Sequence, residues 1–174
     1  EIEMAPETAD SCWGHAEMTY CCGILVRDGL VMIADTRTNA GLDNISVFRK
    51  LHVFTQPGER IMAVASAGNL ALTQSVLSLL NEGLENPETG ERETLFNAPT
   101  MFQAAQRLGR AIRLLARTEG SALQAADVTF DLSFLFGGQI KGDRLRLFMM
   151  YSAGNFIECT RDTPYLQIGE HKYG

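Results

Sequence analysis

Apolar and polar residues alternate along two short runs, Thr19 to Val26 and Leu30 to Asp35, separated only by Arg27-Asp28-Gly29. Alternation at a period of two marks half-buried strands, and a tight turn whose glycine is free to take positive φ joins them as a hairpin. Such a hairpin puts Thr19 and Asp35 at the same end of a sheet. A second strand pair, Ser46 to Phe54 and Ile61 to Ser66, is predicted around Gln56-Pro57-Gly58-Glu59, where Pro and Gly suit a turn. Lys50 then falls mid-strand, close enough to reach across to Thr19. The period changes after Asn69, a capping residue: Leu72, Val76, Leu79 and Leu80 recur at helical spacing up to Gly83, which can end the helix. Glu85 to Asn97 has loop-like composition and is the candidate mobile stretch. Ala98-Pro99 opens a second helix through Met101, Ala105, Leu108, Ile112 and Leu115, with an arginine stripe opposite that reads as a solvated or subunit-contact face. Strands return at Thr129 to Phe136 and Arg144 to Ser152 around a loop from Gly137 to Asp143. A shorter strand pair follows, Phe156 to Thr160 with Tyr165 to Ile168. Strands, two helices, then strands is an α+β order.

Composition alters this picture little. With 174 residues, 45% hydrophobic and 21% charged, the chain reads as one ordinary soluble domain able to bury a core. A net charge of -6 argues against nucleic acid or an anionic membrane as the main partner. The apolar runs are too short to span a bilayer. Cys12, Cys21, Cys22 and Cys159 show no C-x-x-C spacing, and the adjacent pair points to opposite faces of a strand, so free thiols in a reducing cytoplasm are expected. His15, His52 and His171 share no spacing that suggests zinc, and Gly137-Gly138 lacks the following Gly-Lys-Ser/Thr of a phosphate cradle. No metal or organic cofactor is expected.

The candidate chemistry centres on Thr19. Asp35 lies sixteen residues after it and Lys50 fifteen further on. A neutral hydroxyl is a weak nucleophile that needs an adjacent base, and a threonine at a chain N-terminus carries that base as its own α-amine, with a reference pKa of about 8. A lysine nearby lowers the amine's proton affinity and polarises the hydroxyl, and an aspartate keeps the lysine charged and oriented. Met18 precedes Thr19, and methionine before a small residue suits removal by an aminopeptidase, which would free the amine. The helix after Ser66-Ala67-Gly68 starts where the amides of Ala67 and Gly68 would form an oxyanion hole. Taken singly, a strand threonine, a turn aspartate and a surface lysine are unremarkable in any fold. Their joint spacing is what singles them out.

The run TYCCGILVRDGLVMIADTRTNAGLDNISVFRKLHVF, followed by Ser66 to Asn69 and then PYLQIGEHKYG, resembles the bacterial proteasome-type peptidases of the Anbu, or ancestral beta subunit, family. It is more distantly similar to HslV and proteasome β-subunits. The resemblance covers nearly everything from Thr19 to Gly174. It implies Thr19 as nucleophile, Asp35 as its acidic partner and Lys50 as the lysine, with a Thr-to-Lys spacing one residue short that the turn at Gly41 to Asn44 would absorb. It also implies the four-layer αββα sandwich of N-terminal-nucleophile hydrolases. Two stacked sheets are then expected, with the two helices on one face and the C-terminal elements absent from this chain. Residues 19–174 would be the proteasome β-type domain, C-terminally incomplete, with 1–18 an upstream extension or propeptide. An apolar sheet face would be left bare, predicting poor solubility or dependence on a partner chain.

One departure concerns the Gly-Ser-Gly of proteasome subunits, since Gly169 here precedes Glu170 and His171. Ser66, Gly169 and Glu170 are therefore only auxiliary candidates. The expected activity is threonine-type hydrolysis of peptides or unfolded protein by a cytoplasmic assembly of like subunits, with any ATPase partner unread. The alternatives are a catalytically silent structural subunit and a hydrolase of small amides.

Overall fold

The computed structural model describes residues 19–39 and 45–170. The opening hairpin forms as predicted: β1 (Tyr20–Val26) and β2 (Gly29–Ala34) pair in register from Cys21 against Ala34 to Val26 against Gly29. Two three-residue strands follow, β3 (Arg37–Asn39) and β4 (Ile45–Val47), then β5 (Leu51–Gln56) and β6 (Arg60–Gly68) around the predicted turn. Helix α1 spans Leu70–Glu82. The Asn69 side chain accepts from the amides of Ala71 and Leu72, and the Gly83 amide donates to the Leu79 carbonyl at the other end. These are the capping interactions that satisfy orphan backbone groups at helix ends.

The expected loop from Glu85 to Asn97 is a built structure. A small hairpin of β7 (Leu84–Glu85) and β8 (Arg92–Glu93) leads into a single 3₁₀ turn at Leu95–Asn97, where Thr94 and Asn97 cap each other. Asx-type turns hide strand pairing from a reading by composition. Helix α2 (Met101–Ala125) starts later than Ala98-Pro99. Thr100 caps it, and Asp143 accepts from the Met101 amide at 2.9 Å. It also runs ten residues beyond Leu115.

Strand β9 (Leu132–Ile140) runs straight through Gly137-Gly138, which had read as a loop. Neither position has room for a side chain. A Cβ at Gly137 would lie 2.6 Å from Leu30 Cδ2, and one at Gly138 would lie 2.2 Å from the Ile61 carbonyl oxygen. Glycine serves a close approach between the two sheets at Gly137 and to the neighbouring strand β6 at Gly138. Next come β10 (Arg146–Met150), β11 (Phe156–Glu158) and β12 (Tyr165–Gly169). The last two do not pair with each other as expected. β11 joins β10, whereas β12 joins β1.

Three layers result. A five-stranded sheet, β11-β10-β9-β6-β5, lies between the helices and a three-stranded sheet, β12-β1-β2. Strand alternation divides the core. Met62, Val64, Phe134, Phe136, Phe148 and Met150 pack with the helices, while Ala65, Ala67, Leu135 and Leu147 pack with Cys21, Leu166 and Ile168 between the sheets. This is the mixed α/β, two-sheet arrangement expected, with both helices on one face. On the far face of the smaller sheet, Ile24, Val26, Val31, Ile33 and Tyr165 are exposed, Ile33 to 53%. The bare apolar face anticipated from sequence is therefore present among the described residues.

Candidate active site

The hairpin register closes one end of the site. The Tyr20 amide donates to Asp35 Oδ1 at 3.0 Å and the Asp35 amide to the Tyr20 carbonyl at 3.2 Å, so Asp35 is tied to the residue after Thr19. Lys50 does not sit mid-strand. The predicted strand Ser46 to Phe54 breaks at Phe48 to Lys50, where the chain leaves the β3–β4 pair and enters the large sheet. Lys50 is the last residue before β5 and is only 5% exposed. Its backbone carbonyl accepts from both the amide (3.1 Å) and the hydroxyl (3.4 Å) of Ser66. Ser66 is thus buried beneath the site, where it holds the Lys50 backbone.

From that position Lys50 Nζ donates to Thr19 Oγ1 at 2.7 Å and to Asp35 Oδ1 and Oδ2 at 3.0 and 2.9 Å. One ammonium therefore bridges a hydroxyl and a carboxylate, and charge-assisted bonds of this kind are shorter and stronger than neutral ones. Desolvation by burial, with the Asp35 carboxylate nearby, pushes the Cys21 thiol up to about 12 against the opposing effect of Lys50. Burial also raises Cys159. Cys21, Cys22 and Cys159 are free and buried. A thiolate is the reactive form, so native protein treated with iodoacetamide near pH 8.5 should keep Cys21 and Cys159 unmodified while the urea-unfolded chain is labelled at both. Peptide mass mapping reads this directly, and fast native labelling at Cys21 would contradict it.

Thr19 opens onto a cleft of about 350 Å3 that is also lined by Gly68, Asp131, Ser133, Tyr151, Gly169 and Glu170. The Thr19 carbonyl accepts from the Glu170 amide at 2.7 Å, and Gly169, at φ +91°, faces Tyr20 across the β1–β12 pairing. Gly68 has φ +97°, and a Cβ there would lie 2.7 Å from the Asp131 carbonyl oxygen. Ala67 and Gly68 both line the cleft, but their amides differ. In the β6–β9 register the Asn69 amide donates to the Asp131 carbonyl, and alternation along an antiparallel ladder sends the Ala67 amide to the same side. Only the Gly68 amide is left on the side away from β9.

The structure therefore brings Thr19, Asp35 and Lys50 into direct contact, sets Ala67, Gly68, Gly169 and Glu170 around the cleft, and leaves Ser66 beneath it. Asp131, Ser133 and Tyr151 were not anticipated. Asp131 and Ser133 flank the start of β9 and Tyr151 follows β10, all within strands expected from sequence, and it is the β6–β9–β10 pairing order, which no local signal records, that brings them to the cleft. Met18, Cys12, His15, His171 and the turn at 41–44 lie outside the described residues. Among the described residues, no three His, Cys, Asp or Glu side chains cluster as a metal site, and no helix is long and apolar enough to cross a membrane.

A two-sheet core with helices on one face and a threonine at the start of its first strand defines a proteasome-like β-subunit fold. No family model and no curated protein matches the chain. Solved structures do. An Anbu Gly-1 mutant from Hyphomicrobium sp. strain MC1 is 50% identical with a TM-score of 0.77, over 89% of this chain and 62% of that one. Anbu from Yersinia bercovieri is 49% identical with a TM-score of 0.76, over 88% of this chain and 62% of that one. A helical assembly of the Anbu complex from Pseudomonas aeruginosa is 42% identical with a TM-score of 0.77, at 88% and 62% coverage. The chain belongs to the Anbu, or ancestral beta-subunit, family. It spans about 62% of the length of these relatives.

Proposed function

We propose that this chain is the nucleophile-bearing part of a threonine-type peptidase. The observation that carries the reading is the 2.7 Å bond from Lys50 Nζ to Thr19 Oγ1, made by an ammonium that both Asp35 oxygens already hold. With the Thr19 amine free, Oγ attacks a peptide carbonyl carbon and the hydroxyl proton passes to that amine. The carbonyl electron pair collects on oxygen, where the Gly68 amide is the donor best placed to stabilise it. Collapse breaks the C–N bond, and the leaving amine takes the proton, leaving an ester on Thr19. Water then hydrolyses the ester and restores the hydroxyl. Lys50 keeps its proton throughout, lowering the cost of negative charge on Oγ, and Asp35 keeps Lys50 charged and aimed.

The substrate is a peptide or unfolded polypeptide, and the working form is a self-associated assembly of like subunits in the cytoplasm. The helical assembly of the Anbu complex from Pseudomonas aeruginosa supports the self-association. The second reading, a catalytically silent subunit, draws on Glu170, which stands beside Thr19 where proteasome-type chains carry serine. Intact mass separates the two. A peptide epoxyketone needs a free amine and a hydroxyl on one residue. The full-length protein with Thr19 at its N-terminus should gain one adduct, and the Thr19→Ala variant none. A correctly trimmed protein that gains no adduct would favour the silent subunit.

A further inference from the structure

Self-association needs a surface, and the one best marked by charge is the outer face of α2. Arg107, Arg110, Arg113 and Arg117 recur there at helical spacing and line two adjoining grooves of about 840 and 440 Å3 that share Arg110 and Arg113. Their charges are unequally spent. Arg107 and Arg110 both contact Glu93, whose carboxyl burial tends to raise but which Asn86, Arg110 and Arg107 hold below its usual value. Arg113 donates to the Gly154 carbonyl at 2.7 Å, a bond that leaves its charge unneutralised, and the Arg117 side chain has neither hydrogen bond nor ion pair among the described residues. The groove floor is formed where α2 presses on the turn after β10. Gly109 and Gly154 meet there so closely that a Cβ on either would strike the other's carbonyl oxygen, at 2.3 and 2.4 Å. This is a rigid cationic groove on an acidic protein.

The complementary patch lies on the same chain. Glu82, Glu85, Glu88 and Glu91 surround the β7–β8 hairpin, all exposed and none in an ion pair among the described residues. The hairpin is already ordered. Asn86 Oδ1 accepts from the Glu88 and Thr89 amides, and Thr89 Oγ1 accepts from the Glu91 amide. A pre-ordered loop loses little entropy on docking.

We infer that the arginine-lined groove of α2 receives the acidic β7–β8 hairpin of a second copy of this chain. The hairpin flanks its own groove at Glu93, so a contact in which each copy's hairpin enters the other's groove closes a two-fold pair, whereas the same contact made in one direction only repeats into a ring or a helical array. This inference rests on the self-association proposed above and is independent of catalysis at Thr19.

The test is sedimentation velocity on the full-length protein over a range of concentrations. Arg113→Glu with Arg117→Glu should weaken assembly about a hundredfold, and Arg117→Glu alone, which removes no bond within the fold, about tenfold. Raising NaCl from about 0.05 to about 0.5 M should weaken the wild-type contact as well. Adding Glu88→Arg and Glu91→Arg to the arginine variant should restore association. Unchanged assembly of both arginine variants, or no rescue by the hairpin reversal, overturns the contact while leaving self-association standing. A wild-type protein that stays monomeric throughout overturns both.

Discussion

Lys50→Met is expected to slow epoxyketone adduct formation at Thr19 by about 10²–10⁴-fold while Thr19 itself remains in place. The expectation follows from what Lys50 touches. Its ammonium is the described donor to Thr19 Oγ1, and methionine fills the same buried space with no charge. The oxygen then has to develop negative charge without a neighbouring cation. Stability should respond less than it would for a fully buried ion pair. Removing one member of such a pair costs about 3–5 kcal/mol, but the Asp35 side chain is 29% exposed and still accepts from the Tyr20 amide, so a loss of about 1–2 kcal/mol is expected. Asp35→Asn should give a smaller rate loss, because Lys50 keeps Thr19 as a partner. The two changes combined should cost little more than Lys50→Met alone, since residues that act as a unit are not additive. A Lys50→Met protein that reacts at the wild-type rate would remove the basis for the proposed chemistry.

Gly169→Ala should damage the site from the backbone side. At φ +91° an alanine is strained by about 1–2 kcal/mol before any contact is considered. Its Cβ would also lie 1.9 Å from the Thr19 carbonyl oxygen, which already accepts from the Glu170 amide. β12 has to move away from β1, taking with it the bond that fixes Thr19. A loss of about 3 kcal/mol or more and a strongly reduced adduct rate are expected, although no side chain of the Thr19–Lys50–Asp35 group has changed. Gly58→Ala is the control. It has comparable φ (+78°) and nothing within 4 Å of the added Cβ, so it should cost only about 1 kcal/mol and leave the adduct rate unaltered. Equal unfolding curves for the two variants in denaturant would sink the argument from close approach.

Local chemistry made much of the fold legible. The first hairpin, the Gln56–Glu59 turn and both ends of α1 are specified by residues within a few positions of where they act, and each formed as expected. What escaped was set by distant contacts. Gly137 and Gly138 belong to a strand because Leu30 and the Ile61 carbonyl press against them, and nothing near them in sequence records those neighbours. The break before Lys50 carries neither glycine nor proline, so one long strand was the natural reading. The site was legible to a similar depth. Thr19, Asp35 and Lys50 stood out because their roles depend on residue type and spacing. The distinction between the Ala67 and Gly68 amides depends on ladder register, which only pairing with β9 defines.

The contacts described at Thr19 are made by its hydroxyl and its carbonyl: Lys50 holds one and Glu170 the other. Both lie on the side of the residue that removal of a preceding segment leaves untouched. On the chemistry proposed for Thr19, such a subunit could be stockpiled with its site already in place, and cutting the one peptide bond before Thr19 would then switch it on with no refolding step to wait for.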